Sequence, residues 1–296
     1  MAESVENNDS TVARRQLGRH LRKLREDAGM TREQSAPELE ISVSTLIRIE
    51  TGKTGLKTSD VDTMCRLYKQ PEMADALKAY ARAAKTKSWY RQYKDVIPEW
   101  FDVYIGLEQI AAKFRWHEGI LVPGILQTKD YAATVIRAHN PDVSDDEIDR
   151  RVQLRLQRQA VLTRPVSPPE WHIVLNEAVL RRQIGGPLVM HEQLDRLLEV
   201  TALPNVTLGI IPLDADVDYG VLSGPFLILD FPTNGNGQST EPTTVYVEGF
   251  IGALYTDDEE EVNRYRTAFT GISSAALSPG DSKASIAKVA KEMKRK

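Results

Sequence analysis

The residues of this chain that could do chemistry are dispersed rather than gathered. Its five histidines, His20, His117, His139, His172 and His191, stand far apart. His117-Glu118 lacks the second histidine four residues on that a helix-borne zinc site requires, so no metal is expected. Cys65 is the single cysteine, which excludes an internal disulfide framework and a multi-cysteine zinc site. With no acid–base partner beside it, Cys65 reads as a core thiol rather than a redox sensor. No nucleophile elbow, phosphate-binding loop or dinucleotide fingerprint occurs. Gly185-Gly186 precedes a proline and reads as a turn, and Pro123-Gly124 as a rigid turn that packs helices. Glu177 with Arg181 and Arg182 reads as an i,i+4 surface pair rather than a polar site. The ladder Arg150, Arg151, Arg155 and Arg158 reads as a solvated or partner-facing helix side. No cofactor and no enzymatic activity are expected.

The bulk composition sets the frame. A chain of 296 residues exceeds a usual single domain, so two folded units are expected. Hydrophobic residues at 41% suffice for a core, and charged residues at 27% for a solvated surface. No apolar run approaches a membrane span, and the polar, acidic stretch Ala2 to Ser10 lacks a signal-peptide pattern, so a cytoplasmic, nucleoid-associated location is expected. The net charge of −4 argues against a protein that coats nucleic acid. It is unevenly spread: residues 1–90 carry 16 Lys+Arg against 13 Asp+Glu, and the remainder carries 22 against 29.

Patterning then supplies the elements. Residues 12–28 read as an amphipathic helix, with Leu17, Leu21 and Leu24 on one stripe and Arg14, Arg15, Arg19, Arg22 and Lys23 around it. Gly29 ends it and Thr31 caps a short second helix, Arg32 to Glu38. Ser42 caps a third, to about Thr51 with Gly52 as its stop, in which Leu46 and Ile49 face inward while Val43, Ser44 and Arg48 face away. Thr58 caps a fourth, striped by Val61, Met64, Cys65 and Tyr68, and Pro71 opens a fifth to about Ala84. Short helices at this density are the arithmetic of a small helical DNA-binding domain.

Leu24-Arg25-Glu26-Asp27-Ala28-Gly29-Met30-Thr31, followed by Leu39 through Lys53, resembles the Xre/lambda-repressor helix-turn-helix family over roughly residues 14–80. Two positions depart from that family: Glu40 stands where glycine is usual in the turn, and Arg32 where a DNA-touching glutamine is common. The resemblance implies that the helix from Ser42 to Thr51 enters the major groove of double-stranded DNA. Val43, Ser44 and Arg48 then become the base readers, Arg48 for guanine and Val43 for a thymine methyl. Thr45, Arg32, Lys53 and Lys57 become phosphate contacts. In the family pattern Arg25 and Glu50 form a structural salt bridge between the first and third helices.

Beyond Ser88 the texture changes. Helical patterns at about 104–118, 128–138 and 144–162 precede strand-like runs at Trp171–Leu175, Val206–Ile211, Phe226–Asp230 and Thr244–Val247, interleaved with helices at about 177–183, 188–201 and 258–276. Asn234 to Ser239 reads as a flexible loop. The expected fold is an all-α N-terminal helix-turn-helix domain plus a mixed α/β C-terminal domain. The expected division is a disordered 1–11, a DNA-binding domain at 12–87, a regulatory or partner-binding domain at 88–277, and a basic tail at 278–296, helical between Ser285 and Lys294.

The segment Trp116 to Thr128 with Tyr131-Ala132, together with Arg158-Gln159, Asn176 to Arg182, Gln193-Leu194, Pro204-Asn205-Val206, Gly224-Pro225-Phe226 and Val245 to Glu248, resembles the C-terminal domain of WhiJ-like regulators of Streptomyces-like actinobacteria. That resemblance implies a transcription factor paired with a small companion protein in an antitoxin-like arrangement. Three hypotheses follow. The leading one is a homodimeric regulator whose C-terminal domain binds a small companion protein. The second is a regulator that senses a small molecule in a pocket lined by aromatics such as Trp89, Trp100, Trp116 and Tyr219. The third is an enzyme with a helix-turn-helix appendage.

Overall fold

In the computed structural model, which describes residues 12–83, 89–165, 167–216, 219–233, 237 and 239–294, the N-terminal unit is built on a helix whose apolar stripe carries one small residue. α1 (Val12–Asp27) buries Leu17 and Leu21. Between them Gly18 meets the end of α3 (Val43–Glu50): a Cβ there would stand 2.4 Å from the carbonyl oxygen of Ile49. Continuing the stripe, the inward position is taken by Arg25, while Leu24 is only half-buried. α2 (Arg32–Glu38) opens on a reciprocal cap between Thr31 and Gln34. The turn into α3 places Glu40 in the left-handed region, at φ 54°, which an L side chain occupies at a cost of roughly 1 kcal/mol. α4 (Thr58–Leu67) follows, with Lys57 rather than Thr58 at its cap position. Pro71 opens a short 3₁₀ turn to Met73 before α5 (Ala74–Ala83). Leu46, Ile49, Val61, Met64, Cys65, Tyr68 and Leu77 close the core of this unit.

The chain divides after Arg91, so the second unit begins at Gln92, a few residues later than the expected boundary at 88. The expected helix at 104–118 is two elements. α6 spans Glu99–Ile110, and 113–118 is strand β1 (Lys113–Glu118). Its lack of alternation explains the misreading: Phe114 and His117, three positions apart, are buried, and Trp116 packs partly against the core, so the spacing imitates a helix. α7 (Lys129–His139) and α8 (Asp145–Arg158) form a helical pair. β2 (Glu170–Asn176), α9 (Glu177–Arg181), α10 (Pro187–Val200), β3 (Val206–Ile211), α11 (Tyr219–Ser223), β4 (Phe226–Asp230), β5 (Thr244–Glu248), β6 (Ala253–Thr256), α12 (Glu259–Ala275) and α13 (Pro279–Met293) complete the unit.

The strands form one six-stranded mixed sheet in the order β3-β2-β1-β4-β5-β6. β1 is parallel to β2 and β2 to β3, while β4, β5 and β6 pair antiparallel in turn from β1. Strand alternation sends Phe114, Trp171, Ile173, Leu208, Leu227 and Tyr246 to one face, packed with α10 and α13. Val174, Ile211, Phe226, Ile228 and Val245 go to the other face, against Val262, Phe269 and Ile272 of α12. The stretch expected as a basic tail from 278 is therefore α13, whose Ile286, Val289, Ala290 and Met293 belong to the main core. Its lysines occupy the solvent side of an amphipathic helix, which is why composition alone reads it as a tail. The expected flexible loop lies largely outside the described residues, as do the 1–11 segment and the linker at 84–88.

Candidate DNA-binding surface

α3 is fixed at both ends by its own sequence. Ser42 Oγ accepts the Thr45 amide at 3.1 Å and bonds the hydroxyls of Ser44 (2.9 Å) and Thr45 (2.8 Å). At the far end Gly52 is left-handed, at φ 72°, and the Lys53 amide donates back to the Arg48 carbonyl at 2.8 Å. That closure ends the helix and sets the direction of the loop carrying Lys53 and Lys57. Leu46 and Ile49 are buried, while Ser44, Ile47 and Arg48 form an exposed face, with Val43 and Thr45 half-buried beside them. Ile47, 40% exposed, is the residue that sequence reading missed. Its signal was present: it lies one position from the inward Leu46, on the same side as Ser44 and Arg48.

Behind this face lies a buried clamp. Arg25 Nε donates to Glu50 Oε1 at 2.6 Å and its Nη1 to the Met30 carbonyl at 2.7 Å. Glu50, with its side chain only 1% exposed, receives a second arginine: Arg32 Nε reaches its Oε2 at 2.7 Å. The hydrogen bond to Glu50 raises the Arg25 pKa against the opposing effect of burial, so the guanidinium stays charged. Arg32 is thus not a free phosphate contact. Its Nε is committed to Glu50, because the N-terminus of α2 lies over the end of α3, and only the outer part of its guanidinium faces water. Lys53 and Lys57 are both exposed. An apolar, hydroxyl and arginine face flanked by two lysines suits base edges in a groove with phosphates on its rim. Cys65 is fully buried and its thiol is pushed up to about 11, which leaves it inert.

Residues 16–77 match the helix-turn-helix domain family, and residues 101–288 match the family described as a domain of unknown function, DUF5753. The chain belongs to the DUF5753 family. It is a DUF5753 protein with an N-terminal helix-turn-helix domain, the mark of a DNA-binding regulator. No curated protein and no solved structure matches the chain.

The DUF5753 domain of this chain holds a polar interior that sequence reading missed. The arginine ladder of α8 is a solvated face only in part: Arg150 is 43% exposed, whereas Arg158 is buried. Arg158 makes a two-pronged pair with Glu108, at 2.7 and 3.0 Å, both side chains almost wholly buried. Tyr104 donates to the same carboxylate at 2.8 Å, and the guanidinium lies over the rings of Phe101 and Tyr104. Arg150 pairs with Asp95, Arg151 with Glu147 and Asn140, and Arg155 with Gln127. These partners lie far off in sequence in most cases, so helical spacing alone could not reveal them. Glu177 and Arg181 do form an i,i+4 pair, at 2.7 Å.

Of the aromatics considered as pocket lining, Trp100 and Trp116 pack on the main core. The Trp89 side chain lies outside the described residues. Tyr219 lines a cavity of about 400 Å³ with Leu222, Leu254 and Tyr265. Among the described residues no group of His, Cys, Asp and Glu could hold a metal, and no helix is long and apolar enough to cross a membrane.

Proposed function

We propose that this protein is a cytoplasmic transcription regulator that reads double-stranded DNA in sequence-specific fashion, as a homodimer. α3 of each copy enters the major groove, with Val43, Ser44, Ile47 and Arg48 toward the bases and Thr45, Lys53 and Lys57 toward phosphates. The observation that supports this most is the exposed Ser44–Ile47–Arg48 face on a helix locked from behind by Arg25, Glu50 and Arg32. One such helix covers too little DNA for strong specificity, which is the reason for two copies on half-sites about one helical turn apart. Selection of binding sites from random DNA by the full-length protein tests the proposal. Enrichment of an inverted repeat supports it; enrichment of nothing, with binding that vanishes evenly in salt, overturns it.

The reading that a small companion protein controls the C-terminal domain is favoured by one surface. Tyr219 and Leu222 of α11 and Leu254 on the edge strand β6 are exposed and line one cavity. A companion would cover these apolar groups and pair with the open strand edge. Leu222→Asp with Leu254→Asp should abolish co-purification of such a protein from the native host; unchanged recovery would remove the surface from consideration.

A further inference from the structure

α12 buries Val262, Phe269 and Ile272 against the sheet. Beside them it carries a second row at three- and four-residue spacing: Glu261, Tyr265, Ala268 and Gly271, with Arg264 alongside. The last two of this row are small. Gly271 makes room for Tyr219 of α11: a Cβ there would stand 2.5 Å from the ring atom Cδ2. Ala268, one turn earlier, instead lines a cavity of about 400 Å³ between α11, α12 and β6. The space therefore follows from the sequence, since the helix row that could fill it carries an alanine there.

Most of the lining is apolar: Leu222 of α11, Leu254 of β6, Ala268, and the bodies of Tyr219 and Tyr265. The Tyr265 ring is steadied by Phe226 of β4, with ring centres 4.9 Å apart. Four polar groups share this lining. Among the described residues the hydroxyls of Tyr219 and Tyr265, the Glu261 carboxylate and the Arg264 guanidinium make no hydrogen bond or ion pair. Ser223 Oγ, on the same lining, donates to the Gly224 carbonyl at 3.0 Å and keeps its lone pairs for another donor. A mostly apolar wall with a few polar groups, in a space of roughly 300–1,000 Å³, is the usual make-up of a small-molecule site.

The two charges select the kind of molecule. Glu261 and Arg264 lie about one helical turn apart, are of opposite sign, and are both exposed. A carboxylate ligand loses to Glu261 much of what it gains from Arg264, and an ammonium ligand the reverse, through interactions that water screens. Either ion would also give up its own hydration against an apolar wall. An uncharged group that both donates and accepts a hydrogen bond suits the pair. Two tyrosines on the lining favour a flat body, which gains from stacked or edge contacts with their rings.

We propose that the cavity between α11, α12 and β6 binds a flat, uncharged organic molecule bearing a hydroxyl or amide group. Its body packs on Tyr265 and Ala268 between Leu222 and Leu254, and its polar group meets Arg264 and Glu261. The inference goes beyond the companion reading and does not rest on it: the molecule fills the cavity, whereas a companion covers the rim. Its test needs neither DNA nor a companion, so its failure leaves both of those readings standing.

NMR titration of the full-length protein carrying isotope-labelled tyrosine tests this, with the two signals assigned by their loss in Tyr219→Phe and Tyr265→Phe. Naphthol, naphthoate and naphthylmethylammonium of one substitution pattern serve as neutral, anionic and cationic probes of the same shape. Naphthol should shift both signals, saturate by about 5 mM, and bind about fivefold or more tighter than either ion. Leu222→Asp, at an exposed position that leaves the core intact, puts a carboxylate into the apolar wall and should weaken naphthol about tenfold. The absence of a saturable shift in either signal up to about 5 mM overturns the proposal. So does either ion binding more tightly than naphthol, or naphthol binding that Leu222→Asp leaves unchanged.

Discussion

Replacing Arg25 by methionine isolates what the clamp behind α3 contributes. Glu50 is buried to 1% exposure and is held from two sides, by Arg25 at 2.6 Å and Arg32 at 2.7 Å. Cutting one partner of a fully buried pair costs about 3–5 kcal/mol, because a desolvated charge is left behind. Here Arg32 remains, and its side chain is 32% exposed, so part of that penalty is offset; roughly 2 kcal/mol is the expected electrostatic loss. The Met30 carbonyl also loses the Nη1 donor, adding about 1 kcal/mol. The total of about 3 kcal/mol corresponds to about a hundredfold faster amide exchange in α1 and α3. Hydrogen-exchange mass spectrometry of the full chain reads this unit by itself, which matters because a two-unit chain need not unfold in one step. Arg25→Met combined with Glu50→Met should regain much of the protection, since no carboxylate is left stranded. If Arg25→Met keeps its exchange protection and yet loses DNA, Arg25 is a contact and not a scaffold, and the reasoning fails.

Gly18→Ala should destabilise the N-terminal unit by about 1–3 kcal/mol although alanine favours helix, because the new Cβ would drive into the Ile49 carbonyl 2.4 Å away; a stabilised variant in thermal unfolding would contradict the α1–α3 contact. Arg48→Ala should cost about 1–3 kcal/mol of specific binding and relax selectivity at one base, which gel-shift titration against base-substituted sites measures. An unchanged preference would remove Arg48 from the base-reading set. Lys53→Ala should weaken specific and non-specific DNA alike and flatten the dependence of affinity on salt. In the C-terminal domain, burial holds the Glu118 carboxyl up at about 7 against an ordinary 4.5. The folded state therefore binds this proton more tightly than the unfolded chain, and the associated stability is full below about 4.5 and drains as pH rises to about 7. Glu118→Gln should flatten that part of a urea-midpoint profile, and an identical profile would show that the carboxyl ionises freely.

The helical head was legible because its signals are local. Caps such as Thr31 and Ser42 and the stop at Gly52 act within a turn or two of themselves, and the structure uses each as a cap or stop. Leu24 was misplaced for an equally physical reason: the ion pair with Glu50 takes Arg25 inward and moves the stripe by one position. In the C-terminal domain strands β2 to β5 were readable from their β-branched runs. β1 was not, since its Trp116 and His117 break the alternation and it follows α6 closely. β6, four residues long and mostly half-buried, left no pattern at all. The clusters around Arg158 and Arg155 were invisible because their partners Glu108 and Gln127 lie 50 and 28 residues away. Only the fold brings such groups together.

α13 carries a consequence for how the protein comes into being. It supplies Ile286, Val289, Ala290 and Met293 to the same core as Phe114 and Trp171, so the sheet waits for a helix that is made after all six of its strands. The helix-turn-helix head has no such debt to later sequence, since its buried residues lie within Leu17 to Tyr90. On the ribosome, where domains fold in the order they emerge, the head is complete while the DUF5753 domain is still open. A nascent chain in that interval carries a folded helix-turn-helix unit beside an unfinished DUF5753 domain, and the rate at which residues 279–293 are delivered sets how long the interval lasts.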